Sequence, residues 1–593
     1  MIDNSKKLER VRNRLYRHIE SFEKQFAAQS PSIATIEEWQ NTKIKLKSGI
    51  QEIIDTAQPP YALYKHSLPV ILLATPEIVY LPKHMGSLAN IITTGDGGGL
   101  ADISAALVAE LDRQGVNVHV TLPEYANLFR DLAKITNREY RTLRNHFEDN
   151  GRVHPIVDDI FRMAQKVYDD SSAHLDHINL RRANAFSRGV ISRLLPRLNA
   201  QYKHVLVHCN DWMTGLIPPG ARAQHIHSLM TFHNVFSMHQ RPSGLRKHSI
   251  DIEPFWKDLI YSDLGHRPYR SFKKIVETDP YIDFMSSGLH AANFINTVSR
   301  TFLKEMVGGY FEEHEIMSER LRSVVIRRHQ EGCAKGIRNA PPSNANPEKD
   351  RALAARYGLH PNPEKGILSI GEGKQQNKAV FQKEMGLPVN PGAPLFFWPS
   401  RIARPQKGFD LLLKLIPLLI ETYGKEKIQL AVVANGEAKL VAEIKALAKA
   451  YPEHICYRSF SRTVSARGLA GADFVLMPSL YEPCGTPQVV GQLYGTPPIV
   501  RKTGGLADTV RHLSFNGING SGFVFELYDA DGLAFGVAEA MRFFRREDAF
   551  RYRVLERIMR EAQAKFNIKD TARKYIEVYE EIFRRSGQPV KIV

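Results

Sequence analysis

The pentapeptide Gly-Gly-Leu-Ala-Asp occurs twice in this chain, at 98–102 and at 504–508. Each copy stands between a short apolar run and a helical pattern. The run before the first copy is 70–74. After it, Leu100, Ile103, Leu107 and Leu111 share one helix face, and another apolar run follows at 116–122. That is a strand–loop–helix–strand unit of the kind that builds buried parallel sheets. Runs at 205–208 and 296–299 continue the series. A second series has strands at 395–398, 429–434, 474–477 and 498–500. Its helices open near Gly408, Ala438, Gly485 and Gly505, and a last helix covers 569–584. Between the two series lies 341–365, rich in Pro, Asn and Lys, the composition of a domain boundary. The chain has 593 residues, and chains beyond roughly 250–300 residues split into domains. The fold class is therefore α/β, with two domains that each carry one pentapeptide.

The first 58 or so residues read as helical. Leu8, Val11, Leu15, Ile19, Phe22 and Phe26 recur at spacings of three and four, and Ile36, Trp39, Leu46, Ile50 and Ile53 form a second series. Pro59 and Pro60 stop it. The pattern fits a helical hairpin packed on the main body. A contact between subunits of a homo-oligomer is the alternative.

Several classes are excluded. No segment reaches the roughly 18–20 apolar residues that a membrane helix needs. The first 17 residues are charged and lack the apolar core of a signal peptide, so the expected compartment is the cytoplasm. Cys209, Cys333, Cys456 and Cys484 form no zinc-like spacing, and no metal site is expected. The net charge of +17 suits either nucleic acid or phosphate-bearing substrates. No zinc finger, RNA-binding aromatic motif or long basic block supports nucleic acid.

Glycines before a helix let the backbone pass close to a ligand, and the helix N-terminus offers free N–H groups to an anion. Such a run is also a common plain turn. Two of them, around Gly98 and Gly99 and around Thr503, Gly504, Gly505 and Leu506, suit a diphosphate and its sugar. The segment from Ser400 to Gly408 follows a strand and carries Arg401 and Lys407, a planar fork and a point charge for a leaving diphosphate, or two solvated cations. Glu482, in Tyr481-Glu482-Pro483-Cys484-Gly485, places a carboxylate in a tight turn before a helix, able to accept hydrogen bonds from sugar hydroxyls. No His/Asn set supports Cys484 as a nucleophile, so it reads as a packing residue. Asp211, after a strand, and His233, after the next, lie where open parallel sheets bind ligands.

Taken together these motifs resemble the bacterial glycogen synthase and plant starch synthase family of retaining glycosyltransferases. The resemblance is carried by 98–102, 208–212, 232–234, 296–299, Ser400 and Arg401 with Gln406, Lys407 and Gly408, then 482–485 and 494–510, in the family's order and across about 68–585. It implies a GT-B fold, two Rossmann-like domains facing a central cleft. The expected limits are a helical extension at 1–66, an acceptor-side domain at 67–340, a linker at 341–385, a nucleotide-sugar domain at 386–570 and a C-terminal helix and tail at 571–593. It also implies glucose transfer from ADP-glucose or UDP-glucose to an α-1,4-glucan, with retention and with neither a metal nor a cofactor. Arg401 and Lys407 then resemble the pair that neutralises the leaving diphosphate, Glu482 the residue on the donor's hydroxyls, and His233 the residue against the reacting glucose. Asp211, Asn339, Cys484 and Gly485 resemble further donor contacts. Asp102 with Gly98 and Gly99 resembles the first domain's side of that site, and Thr503, Gly504, Gly505 and Leu506 the phosphate cradle.

The family has lysine where this chain has Asp96, which exchanges an attraction for a repulsion unless another cation such as Lys83 compensates. A related transferase with another donor or acceptor, or a glucan-binding homologue with impaired turnover, are the alternatives this departure raises. The loop from Arg401 to Lys407 is one residue longer than usual, Asn339 is followed by Ala340-Pro341-Pro342, and there is an insertion between Glu77 and Gly97.

Overall fold

Short, wholly apolar runs become strands here because both faces of each sheet are covered by helices. A computed structural model describes residues 65–95, 99–145, 151–168, 175–261, 269–312, 314, 316–341 and 345–593, with scattered positions between 17 and 46. The first sheet is built from Val70–Ala74 (β1), Val118–Pro123 (β2), Val153–Ile156 (β3), Val205–Asn210 (β4), His227–Phe232 (β5), Phe294–Thr297 (β6) and Ala334–Gly336 (β7). All pair in parallel, in the order β7-β6-β5-β4-β1-β2-β3. The second sheet is built from Leu395–Trp398 (β8), Gln429–Val433 (β9), Ile455–Arg458 (β10), Phe474–Met477 (β11), Pro498–Arg501 (β12) and Phe523–Phe525 (β13), in the order β10-β9-β8-β11-β12-β13.

Both orders reverse direction once, between β1 and β4 in the first sheet and between β8 and β11 in the second. At such a switch point the loops leave on opposite sides and open a crevice beyond the strands' carboxyl ends. Helix Gly99–Arg113 (α1) follows β1 and buries Leu100, Leu107 and Leu111, while Arg300–Val307 (α2) follows β6.

The stretch expected as a linker is partly structured. Ile370–Met385 (α3) is a 16-residue helix with a Ser369/Glu372 capping box and left-handed Gly386 at its end. It packs against Arg462–Gly471 (α4) and belongs to the second domain. Its buried face holds Lys374, Asn377, Lys378 and Gln382 between Ile370 and Phe381 with Met385, so the apolar period that would reveal it is interrupted in the sequence. Lys374 is accommodated by the carbonyls of Ala470 and Ala472 and by Thr496 Oγ1, at 3.0, 2.9 and 2.8 Å.

Gly504–Thr509 (α5), Asp548–Lys565 (α6) and Ile568–Arg585 (α7) complete the elements the site needs. The last of these crosses back to the first sheet. Tyr579 Oη lies 2.9 Å from His208 Nδ1, and Asn296 Nδ2 donates to Tyr575 Oη at 3.0 Å.

Residues Met1–Ser67 with Ala200–Lys203 form a separate compact unit. Within it Ile19 is buried, Leu46 is exposed, and Lys43 pairs with Glu23 at 2.6 Å. Leu8, Val11, Leu15, Phe22, Phe26, Ile36, Ile50 and Ile53 of the expected helices lie outside the described residues. Among the described residues no helix is long and apolar enough to cross a membrane. No group of three or more His, Cys, Asp or Glu is arranged there to hold a metal.

Candidate functional site

The switch point of the second sheet brings together two loops. One, after β8, carries Arg401 and Lys407; the other, after β11, carries Glu482. They are tied by the N–H of Leu480 to the carbonyl of Gln406, at 2.9 Å. Close approach depends on Gly408, whose φ is +69° and where a Cβ would meet the carbonyl oxygen of Pro478 at 2.2 Å. The result is a part-buried ion pair, Lys407 Nζ to Glu482 Oε2 at 2.6 Å, with Ser479 Oγ donating to the same oxygen at 3.1 Å. Arg401 is exposed beside Tyr481. Among the described residues Arg401 stands in no ion pair, so an ion pair and an uncommitted cation lie along one edge of the crevice.

The turn carrying Glu482 is anchored from two directions. The N–H of Gly505 donates to the carbonyl of Glu482 at 2.9 Å, and a Cβ on Gly505 would strike the carbonyl oxygen of Cys484 at 2.0 Å. Arg501, buried, donates from Nε to the carbonyl of Ser479 at 2.9 Å and from Nη2 to Tyr310 Oη of the first domain at 2.6 Å. Cys484 is buried beside Gly485, and desolvation pushes its thiol up to about 12. That protonation state suits packing and opposes a nucleophilic role.

In the first domain, Asp211 closes β4 with φ +58° and ψ 176°, a conformation that costs a residue with a Cβ about 1–3 kcal/mol. The strain aims its carboxylate at the backbone N–H of His233, which donates at 2.7 Å. The His233 ring lies between Asn210 Oδ1, 3.2 Å from Nε2, and Asn339 Nδ2, 3.5 Å from Nδ1. Desolvation lowers His233 from its ordinary value, against the pull of Asp211. Desolvation also raises the Asp211 carboxyl, opposed by His233 and by the N–H groups of His233 and Asn234. The imidazole is held neutral and fixed, with Asn339 buried against it.

Two of the expected donor contacts meet protein groups in this structure. The cradle assigned to Thr503, Gly504, Gly505 and Leu506 already holds an anion. Glu305 of α2 accepts from Thr503 Oγ1 at 3.0 Å and from the Gly504 N–H at 2.9 Å, while Gly505 serves Glu482 and Leu506 is fully buried. The sequence cue, a glycine turn before a helix, identifies an anion site but not whose anion fills it. Asp102, expected against the donor, instead pairs with Arg462 of α4 at 2.9 Å. Gly99 opens α1 as expected, whereas Asp96, Gly97 and Gly98 lie outside the described residues. Lys83 stands beside the far end of α1 from Gly99. Its neighbour His84 pairs with Asp112 at 2.7 Å, about 20 Å along α1 from Gly99 at roughly 1.5 Å per residue.

The sequence reading missed Glu305, Arg501 and Tyr310. None of them stands in a glycine motif, and each gains its role from a partner about 200 residues away.

Residues 89–319 match the starch synthase catalytic domain family, and residues 386–553 match glycosyl transferases group 1. Over 512 residues the chain is 30% identical to a glycogen synthase of Geobacillus thermodenitrificans, covering 82% of this chain and 95% of that protein. Over 499 residues it is 29% identical to a glycogen synthase of Exiguobacterium sibiricum, covering 81% and 95%. Among solved structures, the catalytic domain of Arabidopsis thaliana starch synthase IV, bound to ADP and acarbose, aligns with TM-score 0.65 at 21% identity, covering 88% of this chain and 100% of that one. The chain belongs to the glycogen synthase family, as a glucosyltransferase of the glycogen and starch synthase type on a GT-B fold.

Proposed function

We propose that the protein transfers glucose from ADP-glucose or UDP-glucose to the non-reducing end of an α-1,4-glucan, with retention. The observation that carries this is the Lys407–Glu482 pair at the switch point, with Arg401 beside it. Breaking the sugar–phosphate bond leaves negative charge on the diphosphate. Fixed cations in a crevice stabilise that charge without reorganising. Lys407 and Arg401 take this role in place of a metal ion, and Glu482 accepts hydrogen bonds from the glucose hydroxyls. His233 and Asn339, with Asp211 behind them, form the wall against the reacting sugar. Phe460, 43% exposed on the loop after β10, offers an aromatic face to the base. A cytoplasmic location fits a nucleotide-sugar substrate.

The test is release of nucleoside diphosphate by purified protein given glycogen and each donor in turn. Release with one donor, together with glycogen growth, supports the reading and selects the nucleotide. Binding of glycogen without release from either donor overturns it in favour of an impaired, glucan-binding homologue. Asp96 motivates that second reading, and Asp96→Lys would then raise turnover.

A further inference from the structure

Arg501, the last residue of β12, lies between two tyrosines, one from each domain. Its guanidinium is 5.5 Å from the ring centroid of Tyr310, which follows α2 in the first domain, and 5.7 Å from that of Tyr528, which follows β13 in the second. Each phenol reaches one of the two loops at the switch point. Tyr528 Oη donates to the carbonyl of Pro405 at 3.0 Å, and Tyr310 Oη donates to the carbonyl of Leu480 at 3.3 Å. The guanidinium joins them through carbonyls, from Nε to Ser479 at 2.9 Å, from Nη2 to Leu480, and from Nη1 to Glu526 at 3.3 Å. Nη2 also donates to Tyr310 Oη at 2.6 Å. A buried guanidinium is tolerated only while its donors are met, so the loss of one acceptor redistributes the others.

A ring contact reinforces the hydroxyl. Phe311 sets its ring edge-on to that of Tyr481, with centroids 5.8 Å apart and planes at 88°. Tyr310 and Phe311 thus hold residues 480 and 481 from the first domain, immediately before Glu482. The same short turn governs both members of the ion pair. Ser479 Oγ donates to Glu482 Oε2 at 3.1 Å, and the Leu480 N–H donates to the carbonyl of Gln406, next to Lys407, at 2.9 Å. A displacement of residues 479–481 therefore moves Glu482 and the Lys407 loop together.

We propose that Tyr310 is a positioning residue for glucose transfer: through Arg501 and the Leu480 carbonyl it sets the Lys407–Glu482 pair from the first domain. The inference rests on the transferase reading above. Tyr310 acts through the backbone of 479–481. His233 and Asn339, which face the reacting sugar, belong to the same domain as Tyr310. The strut therefore gives the sugar side and the diphosphate side of the crevice one common frame. An error of about 1 Å between such groups costs on the order of a hundredfold in rate.

The experiment combines steady-state kinetics with amide hydrogen exchange of the full chain, on Tyr310→Phe, Arg501→Lys and the double variant. Tyr310→Phe keeps the ring and removes one hydroxyl. Its expected result is a kcat about tenfold lower, with donor KM unchanged and faster exchange across 479–485. A hydroxyl that merely held the fold together would lower the melting temperature and leave kcat alone. Arg501→Lys should cost less in the Tyr310→Phe background than in the unaltered chain, because both act on the same carbonyls. Unchanged exchange across 479–485, a normal kcat, a loss carried by KM alone, or strict additivity overturns the proposal. If the unaltered chain releases no nucleoside diphosphate from either donor, the transferase reading fails, and exchange across 479–485 in Tyr310→Phe then decides whether Tyr310 sets this turn. If Arg501→Lys fails to fold, the kcat and exchange of Tyr310→Phe still decide.

Discussion

Glu305 and Asp508 cap each other's helices across the domain boundary. Glu305, on α2 of the first domain, accepts from Thr503 Oγ1 and the Gly504 N–H at the start of α5. Asp508, on α5 of the second domain, accepts from Ser299 Oγ at 2.7 Å and from the Arg300 N–H at 2.8 Å at the start of α2. Each helix thus has its free N–H groups satisfied by the other's carboxylate, which is where negative charge is favoured. Desolvation raises the Glu305 carboxyl, and the Gly504 N–H opposes that rise.

This exchange predicts coupled stability. Asp508→Ala and Glu305→Ala each cost about 1 kcal/mol, the usual loss of a capping side chain. Combined, they cost less than the sum, because loss of either contact already loosens the α2–α5 junction that holds the other. Thermal unfolding of the two single variants and the double variant measures this, and strict additivity would show that the caps act independently.

Lys407→Ala should lower kcat by about two to three orders of magnitude, the scale set by removing one fixed group that stabilises developing charge. It also leaves the buried Glu482 carboxylate unpaired. Lys407→Met in a Glu482→Gln background should therefore recover stability but not turnover. Steady-state kinetics and melting on the same samples separate the two effects. Near-normal kcat in Lys407→Ala would remove the lysine from the reaction.

Gly505→Ala should abolish most turnover and lower the melting temperature. The added Cβ has no free space, since the carbonyl oxygen of Cys484 stands at 2.0 Å. The Glu482–Gly485 turn must shift to admit it, and misplacing a reacting group by about 1 Å costs on the order of a hundredfold. A normal rate with a normal melting temperature would contradict the tight packing of this turn.

Acid should destabilise the fold through His208. Desolvation lowers its pKa from 6.5 to about 3. The unfolded chain therefore binds a proton at a pH where the folded chain refuses it. Its contribution is complete above about pH 6.5 and falls as pH drops towards about 3, by roughly 1.4 kcal/mol per unit. His208→Gln, which can still meet Tyr579 and Thr231, should flatten the slope of stability against pH in denaturant titrations. An unchanged slope would exclude His208 as its source.

The alternating strand and helix series, the glycine turn before α5 and the residues after the β8 and β11 strands were legible in the sequence. Each is a local rule: short apolar runs, glycine before a helix, cations beyond a strand's end. The helix Ile370–Met385 was hidden because half of its buried face is polar, with Lys374 satisfied by carbonyls about 100 residues away.

The sequence by itself determined the fold class, the order of the domains and which loops reach the crevice, since these follow from periodicity and turn chemistry within a few tens of residues. Only the tertiary structure decided what those loops meet. It set Lys407 on Glu482, Asp102 on Arg462, and Glu305 on the N-terminus of α5. The physical reason is that an unsatisfied charge or N–H group specifies only the kind of partner it needs. Which residue supplies that partner depends on how the two sheets and the returning helix pack.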